Sequence, residues 1–408
     1  MSLFVARLSN NHKIDVMNIS GIHNCYGCGV CAIACAKKII ELKLNNEGFY
    51  EPFITDESKC TNCGMCREVC AFCHEELASK PTLAEGYGSW SNTLAVRQKC
   101  SSGGTGFEIG KYLIARDYAV VGVRYNAVKN IAELYIAHSK EELVQSMGSK
   151  YIPSYTVEAF REIDRKKKYL VTGTPCQIDS FRRYIKKLRC ENNFLLLDFF
   201  CHGVPSMLMW NKYVKWAETK VGKLTYVSWR NKFTGWHDSW AMAIDGEKHG
   251  ETVNWHDSYN LLIREKKTFL NSRLSQGDMF YNLFLSDYCL GKQCYAKCKY
   301  KHLASSADLR IGDMWGDCYK DNEKGVTGLL VLSGKGRMLV NELEGICQFE
   351  PQDISLVTQG QMAMPPVVNA TLRKWVFKGL RSCLSMETFY NIFFTLIRIN
   401  RRLKRIIS

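Results

Sequence analysis

Eight cysteines between residues 25 and 70 repeat one pattern, Cys25-x2-Cys28-x2-Cys31-x3-Cys35 and Cys60-x2-Cys63-x2-Cys66-x3-Cys70. Thiolates are soft iron ligands, and three of them at this spacing can wrap three irons of one cubane. The fourth, a helical turn further on, points at the neighbouring cluster. The pattern therefore predicts two 4Fe-4S clusters with crossed ligation. Cys25, Cys28, Cys31 and Cys70 would hold one, and Cys60, Cys63, Cys66 and Cys35 the other. Gly27, Gly29 and Gly64 suit loops folded closely round a cubane, although Ala36 and Ala71 stand where a proline often follows the fourth cysteine. Structural zinc and disulfides are weaker readings, because repeated spacing in a chain with no signal peptide argues for a cluster.

A second, looser group is Cys176, Cys201, Cys289, Cys294 and Cys298. Four of these five would complete a third 4Fe-4S cluster; the competing reading is buried thiols acting as small apolar side chains. Cys100, Cys190, Cys318, Cys347 and Cys383 are isolated, and core packing is the expectation for each. The loop Ser101-Ser-Gly-Gly-Thr105 opens a helix, so its N–H groups and hydroxyls could receive a diphosphate. Gly148-Ser-Lys-Tyr151 offers a lysine and a tyrosine suited to a flavin ring edge or its phosphate.

These groups need a frame. The cluster module ends near Cys73, and residues 75–90 read as a linker. An α/β texture follows: a helix from Phe107 to Arg116, strands over Tyr118–Val123 and Leu134–Ala137, and a capping box at Ser139 and Glu142. Tyr169–Thr172 and Phe194–Phe200 read as buried strands flanking a helix over Gln177–Leu188, whose Ile178, Phe181, Ile185 and Leu188 recur at helical spacing. Such a βαβ unit predicts parallel neighbouring strands. Gly173–Cys176 and Cys201–Pro205 would then leave their carboxyl ends, the edge where open α/β sheets bind ligands. Thr225–Trp255 is rich in tryptophan, and Asp245-Gly246 reads as a hairpin turn. The expected domains are 1–78 (two-cluster ferredoxin module), 85–345 (α/β domain, in parts 85–165 and 166–345) and 346–408 (a basic helical tail).

The chain has 408 residues, 46% of them hydrophobic, and a formal charge of +15. That is enough for a sizeable core in two or three domains. Two four-thiolate clusters at about two negative charges each lower the charge to roughly +11. The dispersed lysines and arginines suit an acidic electron carrier, an anionic substrate or a membrane surface better than nucleic acid. Met1–Val16 lacks the continuous apolar stretch of a signal peptide, and nineteen cysteines favour a reducing compartment, so a cytoplasmic location is expected. Met386–Ile407 reads as an amphipathic helix with Phe389, Ile392, Phe393, Leu396 and Ile397 on one face, followed by Arg398, Arg401, Arg402, Lys404 and Arg405. It is too short in its apolar part to span a bilayer. It either lies on the anionic inner face of a membrane or packs on the body or a second copy in a homo-oligomer.

Six segments occur in a telling order: Ser101-Ser-Gly-Gly104, Gly148-Ser-Lys-Tyr151, Gly173-Thr-Pro-Cys-Gln-Ile178, Cys201-His-Gly-Val-Pro-Ser206, Ser228-Trp-Arg230 with Gly235-Trp236, and Ala307-Asp-Leu-Arg-Ile-Gly-Asp-Met-Trp-Gly316. Over about residues 20–345 the chain resembles the coenzyme F420 hydrogenase/dehydrogenase beta-subunit family, with a ferredoxin module in front. The resemblance implies an α/β FAD-binding domain, with Ser101, Ser102, Gly103, Gly104, Lys150, Thr172, Thr174 and Cys176 around the flavin. Cys201, Cys294 and Cys298 are its cysteines for a third cluster, although Cys294 and Cys298 are separated by three residues where the family usually has two. His202, His237 and Asp313 sit in family-like motifs and are the candidates for proton transfer; hydrogen-bonding a loop is the competing role for each.

The expected function is an iron-sulfur flavoprotein oxidoreductase. It would take electrons from a ferredoxin-like donor through the clusters to FAD, then to an organic small molecule, with a glycan precursor of polysaccharide assembly as the suggested class. The alternatives are an electron-transfer subunit without substrate chemistry, or a deazaflavin oxidoreductase.

Overall fold

The computed structural model describes residues 18–407 except 77, 79–80, 82, 231, 233–234, 238–241, 250–277 and 296–297. At the N-terminal end each cysteine triplet runs into a short helix, α1 (Val30–Ala34) and α2 (Met65–Glu68), entered through left-handed Gly29 and Gly64. A two-stranded antiparallel sheet joins the halves, with β1 (Ile40–Leu44) paired to β2 (Tyr50–Ile54). This is the small ferredoxin-like module.

The second domain is built on a nine-stranded mixed sheet. Its strands are β3 (Glu85–Ser91), β4 (Tyr118–Asn126), β5 (Ile131–Ala137), β6 (Ser154–Tyr155), β7 (Lys168–Thr172), β8 (Phe194–Phe199), β11 (Leu309–Asp313), β12 (Thr327–Val331) and β13 (Cys347–Gln352). The spatial order is β13-β3-β12-β11-β8-β7-β4-β5-β6, and the central four, β11, β8, β7 and β4, run parallel. Two helices matter for the site, α3 (Thr105–Ile114) and α4 (Pro175–Lys187).

The βαβ expectation holds. Tyr169 pairs with Phe194 and Thr172 with Leu197 in parallel register. Helix α4 starts where it does because Pro175 has no N–H to lose in the first turn and Gln177 Oε1 accepts from Thr174 N at 2.9 Å. Its Ile178, Phe181 and Ile185 are buried against Val171, Phe194 and Leu196, each contributing about 1.5–3 kcal/mol.

Three expectations change. The stretch expected as a linker already contains β3, which lies inside the sheet between β12 and β13. Strand β13 likewise extends the sheet into the stretch expected as tail. Asp245-Gly246 is not a turn: it lies within β10 (Ala243–Gly246), which pairs antiparallel with β9 (Leu224–Ser228) and shifts register there; the rest of that stretch to Trp255 is only partly among the described residues.

Helices α5 (Met207–Val221), α6 (Met279–Phe284), α7 (Ala370–Arg381) and α8 (Met386–Ile407) pack together at the C-terminal end. Phe389 and Ile397 of α8 are fully buried. Asn282 Nδ2 donates to Tyr390 Oη at 2.7 Å and Asn400 Nδ2 to Tyr288 Oη at 2.8 Å, so α8 is docked on the body. No helix among the described residues is long and apolar enough to cross a membrane.

Candidate redox centres along the sheet edge

Cys25, Cys28, Cys31 and Cys70, the four residues of the first crossed ligand set, line one cavity together with Tyr26, Gly27, Gly29 and Phe72. Gly27 (φ +63°) is required there, since a Cβ would meet Tyr50 O at 2.6 Å. Burial first, and the neighbouring thiols after it, push Cys25, Cys28 and Cys31 up, Cys28 to about 11. Thiols gathered away from water resist ionising together, and bound metal charge is what makes such a set of thiolates stable. Gly27 N donates to Cys25 Sγ at 3.4 Å, the kind of N–H···S contact that tunes a cluster. These residues fit the group. The other set is more open, with Cys63 exposed, Cys35 and Cys60 half-buried and Cys66 buried. Asn18 Nδ2 donates to Cys60 Sγ at 3.4 Å.

The module is pinned to the sheet domain beside this cavity. Thr156 Oγ1 donates to Cys28 O, Ala71 N to Ser180 Oγ on α4, and Lys299 Nζ to Ala71 O, all at 2.9–3.1 Å. Behind Cys25, Tyr26 stacks edge-on against Phe72 and Tyr300 at 5.3 and 5.7 Å. Beyond it the carboxyl ends of β7 and β8 deliver Cys176 and Cys201, and the loop before β11 brings Cys294 and Cys298. Burial is the main cause raising the Cys176, Cys201 and Cys294 thiols. Cys201 and Cys294 further raise Cys176, and Cys298 raises the other two. Thr174 Oγ1 lies 3.2 Å from Cys176 Sγ, and Val204 N donates to Cys294 Sγ at 3.4 Å. Cys289 stands apart, fully buried among apolar residues, pushed up to about 12 by burial. Among the described residues no three His, Cys, Asp or Glu side chains close to the tight sphere of a single metal ion.

Arg310, the second residue of β11, holds the loop that follows Cys298. It is fully buried, and its guanidinium makes two 2.7 Å bonds to Asp198 of β8. Its remaining N–H groups donate to the carbonyls of Tyr300, His302 and Ala304 at 3.3, 2.7 and 3.0 Å. Lys301 Nζ then donates to Cys201 O and His202 O at 2.6 and 2.9 Å. Arg310 stands in the last of the six ordered segments, yet the segment does not reveal its role. The signal is Asp198, a carboxylate inside the apolar run Leu195-Leu-Leu-Asp-Phe199.

The loop 101–104 is fastened from three sides. Gly103 N donates to Thr327 Oγ1 at 2.9 Å and Ser102 Oγ to Val326 O at 2.7 Å. A Cβ on Gly103 would run into Ser89 O, so only glycine lets the loop lie this close to β3. Ser149 N donates to Ser101 Oγ at 3.0 Å, joining the two motifs expected near a flavin. Lys150 Nζ donates to the carbonyls of Gln145, Met147 and Gly148, so its ammonium braces its own loop. Burial pushes it down to about 7. Lys232, which no sequence signal marked, does the same for loop 101–104 by donating to Arg97 O at 2.6 Å, Lys324 O at 2.8 Å and Ser102 O. Thr172 Oγ1 donates to Val121 O of the neighbouring strand β4 at 2.8 Å, and β11 and β8 lie between β7 and the strand β12 that holds this loop. Gly103 N and Ser102 Oγ are thus engaged within the protein, and a diphosphate would have to be received by the remaining N–H groups where the loop enters α3.

The three proton-transfer candidates do not meet at one point. Asp313 pairs with buried Arg230 and accepts from Trp236 Nε1 at 2.9 Å. His237 is next to it, 3.2 Å from Glu323 Oε1, beside the stacked Trp236 and Trp315. His202 lies elsewhere, with Nε2 2.9 Å from Asp287 Oδ1 and its ring 4.8 Å from Phe284. Tyr151 stands between, against Phe284 at 5.3 Å and close enough to Arg230 for the cation to oppose its burial.

Residues 166–355 match the model for the C-terminal part of the beta subunit of coenzyme F420 hydrogenase/dehydrogenase, and residues 24–72 that of a 4Fe-4S dicluster domain. The chain carries a beta-subunit domain of the F420 family. Together with the dicluster match this supports an oxidoreductase with iron-sulfur cofactors. No curated protein matches the chain. Among solved structures, one similar chain belongs to the F420-reducing NiFe hydrogenase complex from Methanosarcina barkeri, at 13% identity over 77% of this chain and 91% of that one, with a TM-score of 0.43. The beta-subunit domain accounts for β7 through β13.

Proposed function

We propose that this protein transfers electrons from a one-electron donor to a two-electron carrier of the flavin or deazaflavin kind, with the beta-subunit domain receiving what the dicluster module collects. When bound, 4Fe-4S clusters supply one-electron steps and FAD the pairing of two electrons. The observation that carries this reading is the continuity of sulfur: the cavity of Cys25, Cys28, Cys31 and Cys70 adjoins the group Cys176, Cys201, Cys294 and Cys298, with Tyr26 between them. That group would hold a third cluster. Ser101, Ser102, Gly103 and Gly104 would receive the flavin diphosphate, with Thr172 and Thr174 near its other end, Lys150 and Lys232 bracing the loops, and Arg230, Asp313 and His237 facing the second substrate, while His202, paired with Asp287, stands apart from them.

A glycan precursor at a membrane is the second reading. It draws on α8, where Ile392, Ile399 and Leu403 are exposed beside Arg398 and Arg402. Iron, sulfide and flavin content of anaerobically purified protein tests the main reading. About twelve irons and one FAD per chain are expected; about eight irons with no flavin after reconstitution would overturn it.

A further inference from the structure

We propose that an acidic one-electron carrier protein docks on the face formed by Cys35, Cys60, Cys63 and their basic neighbours, which makes this the electron entry point. The inference rests on the reading of residues 24–72 as a cluster-bearing module. The two ligand sets differ sharply in access: Cys25, Cys28, Cys31 and Cys70 are buried, whereas Cys63 is exposed and Cys35 and Cys60 are half-buried. Electron transfer falls steeply with distance, so a diffusing partner reaches the outer set first. The inner set faces Cys176 and leads into the sheet domain.

Charge selects the partner. Lys37 and Lys38 follow Cys35, Lys59 precedes Cys60 and Arg67 follows Cys66, and all four are exposed. Nearby acids offset part of this: Lys59 pairs with Asp56 at 2.8 Å, Glu68 pairs with Lys187 at 2.5 Å, and Glu57 is exposed. Lys37 and Lys38 have no ion-pair partner among the described residues and carry most of the excess. A carrier with surface carboxylates around the mouth of its cluster presents the surface complementary to Lys37 and Lys38. The step moves one electron: the carrier is oxidised by one unit, the module reduced by one, and no proton need move.

The test uses the full-length holoprotein and an acidic bacterial two-cluster ferredoxin. Binding is read by calorimetry, and reduction by stopped-flow absorbance with reduced ferredoxin or with dithionite. Lys37→Glu/Lys38→Glu should weaken ferredoxin binding and slow its second-order reduction by about tenfold at low salt, and leave dithionite reduction unchanged. Raising salt should slow the wild type toward the variant. Equal binding and equal rates in both proteins would overturn the docking face. So would a loss seen instead for Arg398→Glu/Arg402→Glu, the matched reversal on α8. Failure of the underlying relay is distinct, because dithionite itself would then fail to bleach the wild type.

Discussion

Replacing Arg310 by methionine should release the loop that follows Cys298 and cost the fold a large share of its stability. Asp198 and Arg310 are both fully buried. The single change leaves Asp198 charged, with Ser305 Oγ, at 2.6 Å, as its remaining side-chain donor among the described residues. An uncompensated buried charge of this kind costs about 3–5 kcal/mol. The carbonyls of Tyr300, His302 and Ala304 lose a cationic donor as well, about 1–3 kcal/mol apiece and not additive with the first loss. Two effects are therefore mixed, and a second variant separates them. In Asp198→Leu/Arg310→Met the stranded charge is gone, and stability should return to within about 2 kcal/mol of wild type. The carbonyls remain without their clamp, so iron should stay near eight per chain instead of about twelve. Denaturant unfolding reads the first quantity, and iron content with tryptic cleavage after Lys299 and Lys301 reads the second. If the double variant keeps both wild-type iron and wild-type resistance to trypsin, Arg310 is not what holds the loop.

Gly27→Ala places a Cβ against Tyr50 O in left-handed backbone, at about 1–2 kcal/mol for the conformation alone, and should deplete about four irons with little change in far-ultraviolet dichroism. Lys232→Met removes the donor to three carbonyls around loop 101–104; a loss of about 2 kcal/mol and at least tenfold weaker FAD retention in equilibrium dialysis are expected, and unchanged retention would refute the brace. Asp278 caps α6, accepts from Tyr213 Oη at 2.8 Å, and is raised to about 6 by burial. Between the ordinary carboxylate range and pH 6 the folded state thus binds more protons than the unfolded one, and stability falls as pH rises through that window. Asp278→Asn should therefore be more stable than wild type at pH 7.5, by up to about 3 kcal/mol, with the gap roughly halved at pH 5.

The parts that were legible in the sequence share a physical cause: local spacing. Ligand spacing round a cubane is set within a dozen residues, and so is the βαβ unit, whose apolar positions, Pro175 and flanking runs place Cys176 and Cys201 at one sheet edge before any contact is known. Strand β13 was not legible, because its pattern of buried and exposed residues is irregular and its partner β3 lies more than two hundred residues away. The choice between Cys289 and Cys294 was equally closed to spacing. In the structure Cys294 lies with Cys201 and Cys298 and accepts from Val204 N, whereas Cys289 is buried among apolar residues, and both placements come from contacts distant in sequence. Lys150 illustrates the opposite hazard: a lysine in a phosphate-like motif invites a ligand, yet its ammonium is occupied by three carbonyls of its own loop.

Lys150, half-buried, and Lys232 and Arg310, buried, are basic side chains that each use their donors to hold the carbonyls of an irregular loop at the rim of the sheet. Neutral donors would satisfy those carbonyls less strongly. A strand-rich scaffold fixes its strands by ladder bonds but leaves the loops between them without partners, and redox centres need such loops held at fixed separations. The basic excess of the chain is thus partly internal. Charge-reversal scans should lose ferredoxin binding at Lys37 or Lys38, keep it at Arg398 and Arg402, and lose folding at Lys150, Lys232 or Arg310. Binding loss with intact folding at any of the last three would contradict this division.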